Sequence, residues 1–262
     1  MELHAQKGCL KLNAGEYWER WMAFITVPWE QPPIVHIEEK EQAINRHKVI
    51  EKQYKGRKGS LLVYTDGSAH GGHVGAAAVI GNSSKYRQLY MGLGTQSTVY
   101  AAELQGIRMG LLPAVHDARV RELFIFTDNQ AAIQAIYRPR QPSGQEVIAE
   151  IWNYLRSLRG RGTGVSIHWI PGHEGIPGNE EADKRAKAAA GMGKEVQAEQ
   201  GSGKQCKLAS AAKRVIRQKA VDEWADAWKK TKVAAPTRRL LKAPTRKSRK
   251  LYLGLRKAHS SV

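Results

Sequence analysis

The chain has 262 residues, of which 42% are hydrophobic and 25% charged, a balance that fits a globular fold and excludes a disordered or fibrous one. No apolar run approaches the roughly 20 residues needed to cross a bilayer, and "MELHAQKGCL" lacks a basic-then-apolar secretion signal, so a soluble intracellular protein with no membrane partner is expected. The net charge of +18 is uneven: residues 201–262 carry 18 Lys/Arg against 3 acids, a net +15, which favours a polyanionic partner such as nucleic acid and leaves a merely solvated tail as the alternative.

Residues 1–35 include "YWERWMAFITVPWEQPP", three tryptophans followed by a Pro pair. That is too apolar for a free tail and too short for a domain, so a piece packed on a neighbour is expected. "EEKEQAINRHKVIEKQ" (38–53) reads as a short polar helix or linker, and "KGRKGS" (55–60) as a hinge. Three strands follow in "LLVYTD" (61–66), "GGHVGAAAVIG" (71–81) and "KYRQLYMGLG" (85–94), with turns short enough for an antiparallel meander. "STVYAAELQGIRMGLLPAV" (97–115) changes to helical period, with Leu104, Ile107 and Leu111 on one face and Ser97 or Thr98 as the N-cap.

"ELFIFTD" (122–128) is apolar throughout, as a central strand covered on both faces would be. Helices are expected over 129–138 and 143–162, a strand over 164–172, and a further helix over 178–191. The order β-β-β-α-β-α-α-β-α gives an α/β class with a mixed sheet and helices on its faces. Residues 191–205 read as a flexible linker, 207–230 as a basic amphipathic helix, and the remainder as a Pro-punctuated basic stretch that turns helical near its end. Cys9 and Cys206 lack metal-type spacing and read as free thiols.

Two strands share the ending Thr-Asp, at Asp66 and Asp128, but their flanks differ, so this is no internal repeat. Each aspartate alone is explained by a strand-ending turn, and Asp128 by a cap on the helix at 129–138. Together they would set two anions side by side at one sheet edge, which a cation makes tolerable. Glu103 stands in "YAAELQGI", either on the surface or, given its small neighbours, facing inward, where carboxylates are paired or ligating. Asp183 would be a solvated helix residue were it not preceded by "IHWIPGHEGIPGNEEAD", where His173 sits in a Gly- and Pro-bounded loop suited to proton transfer or product release. His168, inside the strand, reads as structural. Four carboxylates without thiolates select Mg2+, with Mn2+ a substitute. A pair of ions about 4 Å apart suits them better than one, for an in-line phosphoryl displacement.

The segments "YTDGSAH…GAAAVI", "YAAELQGI", "FTDNQ" and "IHWIPGHEGIPGNEEAD" resemble type 1 ribonuclease H. The resemblance implies a five-stranded mixed sheet, three antiparallel strands and then parallel ones. It implies Asp66, Glu103, Asp128 and Asp183 as ligands of two Mg2+ ions, His173 as the loop histidine, and cleavage of the RNA strand of RNA–DNA hybrids. Gly67, Ser68 and Asn129, beside the acids, are the implied substrate contacts. Two departures concern substrate grip: Val99 stands where cellular members often have Asn, and a basic, Trp-rich protrusion is not evident at 138–146. The flanks resemble those around ribonuclease H in fungal non-LTR retrotransposon reverse transcriptases. This implies a connector at 1–60, a ribonuclease H domain at 61–192, a linker at 193–205, a basic nucleic-acid-binding extension at 206–262 and a polymerase domain as partner. A catalytically decayed, nucleic-acid-binding remnant is the alternative.

Overall fold

The computed structural model describes residues 19, 22, 24–81, 83–95, 97–139, 143–192 and 208–230. Both cysteines, the predicted linker at 193–205 and the basic stretch after 230 lie outside them. The elements in chain order are β1 (Ile34–His36), α1 (Lys40–Tyr54), β2 (Ser60–His70), β3 (His73–Ile80), β4 (Tyr86–Leu93), α2 (Val99–His116), β5 (Glu122–Thr127), α3 (Gln130–Tyr137), α4 (Gln145–Gly160), β6 (Gly164–Trp169), α5 (Pro177–Gly191) and α6 (Ala209–Lys230). Residues 11–212 form one compact unit; residues 1–10 with 213–262 form a second, of which 213–230 of α6 are described. Among the described residues, no helix is long and apolar enough to cross a membrane.

The sheet order is β1-β6-β5-β2-β3-β4. The pairs β2–β3 and β3–β4 are antiparallel, whereas β2–β5, β5–β6 and β1–β6 are parallel. β5 shows why its sequence is apolar throughout. Leu123 and Ile125 enter a larger core with α2, α3 and α4, while Phe124 and Phe126 enter a smaller one with Ile50 of α1 and Ala182 of α5. Successive residues thus serve opposite faces of the sheet.

Among the described residues the mixed α/β sheet has six strands, one more than the expected five. The addition is β1, which pairs with residues 166–168 of β6. Val35 packs against the larger core and His36 stacks on His168, ring centroids 4.6 Å apart. A strand of three residues is too short for alternation to reveal. β2 is also longer than expected, running four residues past Asp66 to His70.

The segment before β1 straps onto α4. Glu19 accepts from the Gly144 N–H through Oε2 and from the Ala209 N–H through Oε1, both at 2.6 Å. Met22 and Gln145 exchange two hydrogen bonds, and Arg156 grips Glu30 at 2.6 and 2.8 Å. Glu19, Met22 and Glu30 of this segment therefore find partners inside the same unit, although Phe24 and Trp29 remain 82% exposed.

Candidate active site

The last parallel rung between β2 and β5 is Thr65↔Thr127. Beyond it β5 stops, while β2 continues paired with β3, Asp66 opposite Ala77. A notch opens beside β2, and the side chains converge there. Asp66 shares its face of the sheet with Tyr64, by strand alternation. Asp128 is the first residue past β5. It is not the helix cap: Asn129 fills that role, its Oδ1 accepting from the Ala132 N–H at 2.9 Å. The Asp128 carbonyl oxygen accepts from Trp169 Nε1 at 3.0 Å, which fixes the turn.

Glu103 reaches the notch from the opposite face. α2 starts at Thr98, whose side chain accepts from the Ala101 N–H, and lies unusually close to β2. A β-carbon on Gly67 would stand 2.5 Å from the Glu103 nitrogen. Only glycine permits that approach, and the approach turns Glu103 inward.

One oxygen from each of Asp66, Glu103 and Asp128 lies within 4.8 Å of the others. Asp66 and Glu103 are buried, and among the described residues Asp66 Oδ2 and Glu103 Oε2 have no hydrogen-bond partner. Burial, then the charges of Asp128 and Asp183, push the Asp66 carboxyl up to about 7. Burial, then Asp66 and Asp128, push Glu103 up to about 9. Asp128 is raised as well, chiefly by burial. The Gly67 N–H gives partial relief to Asp66 and Glu103. Converging acids, orphaned buried oxygens and an all-oxygen donor set fit a hard divalent cation.

Asp183 lies on α5 outside that trio. Its Oδ2 meets Lys187 Nζ at 2.6 Å, one helical turn on, yet its charge still reaches Asp66 and Asp128. His173 is exposed on the loop between β6 and α5, with φ at +57°, and its charge acts on Asp128. Ser68 is half-buried on β2 opposite Gly75. As placed, Gly67 and Asn129 support the carboxylates: Gly67 through its N–H and the close helix, Asn129 through its cap and its hydrogen bond to Glu103. Val99 is the first residue of α2 and 39% exposed. Residues 138–144 connect α3 to α4, with 140–142 outside the described residues.

Sequence reasoning passed over Lys187, although a Lys four residues after an Asp on a helix is the signal of such a pair. It also passed over Trp169, whose indole hydrogen bond only the fold reveals.

The family model for RNase H matches residues 58–191, just over half of the chain. The Pol polyproteins of equine infectious anemia virus isolates 1369 and CL22 are each 29% identical over 156 residues, which is 60% of this chain and 12% of theirs. The chain thus spans about an eighth of the length of these curated relatives. A solved structure of the N-terminal RNase H domain of Rv2228c from Mycobacterium tuberculosis, fused to maltose-binding protein, aligns with TM-score 0.40 and 20% identity over 53% of this chain and 97% of that one. On the match over 58–191, which contains all four acids and the loop histidine, the chain belongs to the RNase H family.

Proposed function

We propose that this chain hydrolyses the RNA strand of RNA–DNA hybrids in a Mg2+-dependent reaction that leaves 3′-hydroxyl and 5′-phosphate ends. The observation that carries this reading is the pair of buried, unpartnered oxygens, Asp66 Oδ2 and Glu103 Oε2, in a trio of acids within 4.8 Å. Asp66, Glu103, Asp128 and Asp183 are the residues that would hold two cations. Bound there, divalent cations supply Lewis acidity for an in-line phosphoryl displacement.

The chain's own residues do the rest. Trp169 and the β2–β5 register hold Asp128 beside Asp66. Gly67 lets α2 carry Glu103 in from the other face. Lys187 neutralises Asp183 in the cation-free protein. The ring nitrogens of His173, on an exposed loop residue, are placed to move a proton between the site and water. Selectivity for a hybrid rests on sugar hydroxyls and the minor groove, not on base sequence; Gly67, Ser68 and Asn129 line the edge where those contacts form.

We read the chain further as part of a retrotransposon reverse transcriptase of the fungal non-LTR kind. On that reading residues 1–60 are a connector to a polymerase domain, 61–192 the nuclease domain, 193–205 a linker and 206–262 a basic extension that grips nucleic acid, in the cytoplasm or nucleus. The sequence of the flanks and the net +15 of residues 201–262 support it.

The test is a labelled RNA–DNA hybrid incubated with the chain and Mg2+, with and without chelator. The RNA strand is expected to be cut, duplex DNA spared, and chelator to stop cleavage. An intact hybrid, or cleavage that survives chelation, overturns the proposal.

A further inference from the structure

Residues 34–54 precede the matched family segment, yet they back the loop that carries His173. That loop leaves β6 at Ile170 and enters α5 at Ile176, and both isoleucines are buried in the smaller core. α1 supplies Ile50 to the same core, with Tyr54 packed against it. Beyond the core, the first helical residue of α1 ties down the loop: Lys40 Nζ meets Glu174 Oε1 at 2.6 Å across 134 residues of chain. Glu174 directly follows His173, whose φ of +57° is a left-handed conformation that a side-chain-bearing residue keeps only where its surroundings impose it. On the loop's inner side a β-carbon on Gly172 would lie 2.6 Å from Asp128 Oδ2, so the loop is held against the acids as well as against α1.

We infer that α1 is a positioning element for His173: through Lys40 at the loop and Ile50 in the core beneath it, a segment outside the family domain sets how firmly the loop imidazole is held beside Asp128. The catalytic consequence rests on the function proposed above; the restraint on the loop does not. Lys40 and Glu174 are 56% and 33% exposed, so their pair biases the loop and does not lock it.

The test uses the full chain with Lys40→Glu, Glu174→Lys and the charge-swapped double variant. Three quantities are read: hybrid-cleavage kcat and KM, Mg2+ affinity by calorimetry, and the mobility of the 13C-labelled His173 ring by NMR relaxation without metal. Lys40→Glu is expected to lower kcat about two- to fivefold, to leave Mg2+ affinity unchanged and to raise ring mobility, with the swap restoring kcat and mobility together. Unchanged ring mobility in folded Lys40→Glu, or a swap that restores neither, overturns the inference. Should the parent cut no hybrid, the proposed function falls, and ring mobility alone decides the role of α1.

Discussion

Asp66 and Asp128 are the first residues past the last rung that β2 and β5 share. Register, more than strand ending, sets them side by side, because β2 runs on to His70 while β5 stops. Replacing either acid removes a candidate ligand and relieves a repulsion. Asp66→Asn and Asp128→Asn are expected to lower cleavage by about 10³-fold, the loss of several kcal/mol of transition-state stabilisation, with hybrid binding largely kept. In chelator, Asp66→Asn is expected to melt above the parent, since its neighbours no longer oppose a charge. Parent-like cleavage by both variants would remove the metal assignment.

The raised carboxyls tie stability to pH. Asp66 and Glu103, at about 7 and about 9, lie above their ordinary values of 3.8 and 4.5. Between roughly pH 4 and 9 the folded state therefore binds more protons than the unfolded state, and metal-free stability falls as pH rises, by at most about 1.4 kcal/mol per pH unit for each proton. Melting in chelator from pH 5 to 9 measures this. Mg2+ is expected to stabilise more at pH 8 than at pH 6, because protons compete for the same oxygens. A melting temperature that climbs with pH in chelator contradicts the cluster's electrostatics.

Gly67→Ala places a methyl where the α2 backbone already lies, 2.5 Å from the Glu103 nitrogen. The helix must retreat, at a cost of about 1–3 kcal/mol, and carries Glu103 with it. Lower stability by chemical denaturation and weaker Mg2+ binding by calorimetry are expected together. A stable variant with parental Mg2+ affinity would show that the close approach is not what aims Glu103.

Lys187 Nζ pairs with Asp183 and would compete with a cation proposed to bind there. Lys187→Met removes an exposed i,i+4 pair that contributes about 0.2–1 kcal/mol, so Mg2+ is expected to bind up to about fivefold tighter in a calorimetric titration. Weaker binding would mean that Lys187 organises Asp183 instead of competing for it.

Trimming to the family-matched residues 58–191 discards β1, α1 and the strap on α4. Ile50 leaves the smaller core, His47 leaves its contacts with Tyr64 and Phe126, and one edge of β6 loses its partner. A loss of several kcal/mol lowers the melting temperature by about 10 °C or more, whereas a chain of residues 19–212 is expected to melt near the parent. Equal melting of the two would make the flanks dispensable.

Most elements could be read from the sequence because their patterns are local. "ELFIFT" is apolar on both faces, and the period of α2 aligns Leu104, Ile107 and Leu111, all fully buried. The four acids and His173 could be named, but the notch that joins three of them could not. It arises from the unequal lengths of β2 and β5, and strand length past Asp66 depends on pairing with β3, a nonlocal fact. The sequence pointed to Asp128 as the cap of α3, but the structure gives that role to Asn129, whose Oδ1 accepts from the Ala132 N–H. β1 and the Lys40–Glu174 pair were invisible for the same reason: each is a contact across more than a hundred residues.

The carboxylate of Glu19 receives the N–H groups of Gly144 and Ala209 at once, one on each oxygen. Chain entering the compact unit and chain leaving it therefore meet at a single side chain. A unit whose doorway and exit coincide can be carried inside a longer polypeptide as a cassette, without pulling apart what stands on either side. The same clasp gives such a host a handle: tension on either flank would reach the start of α4 before it reached the sheet.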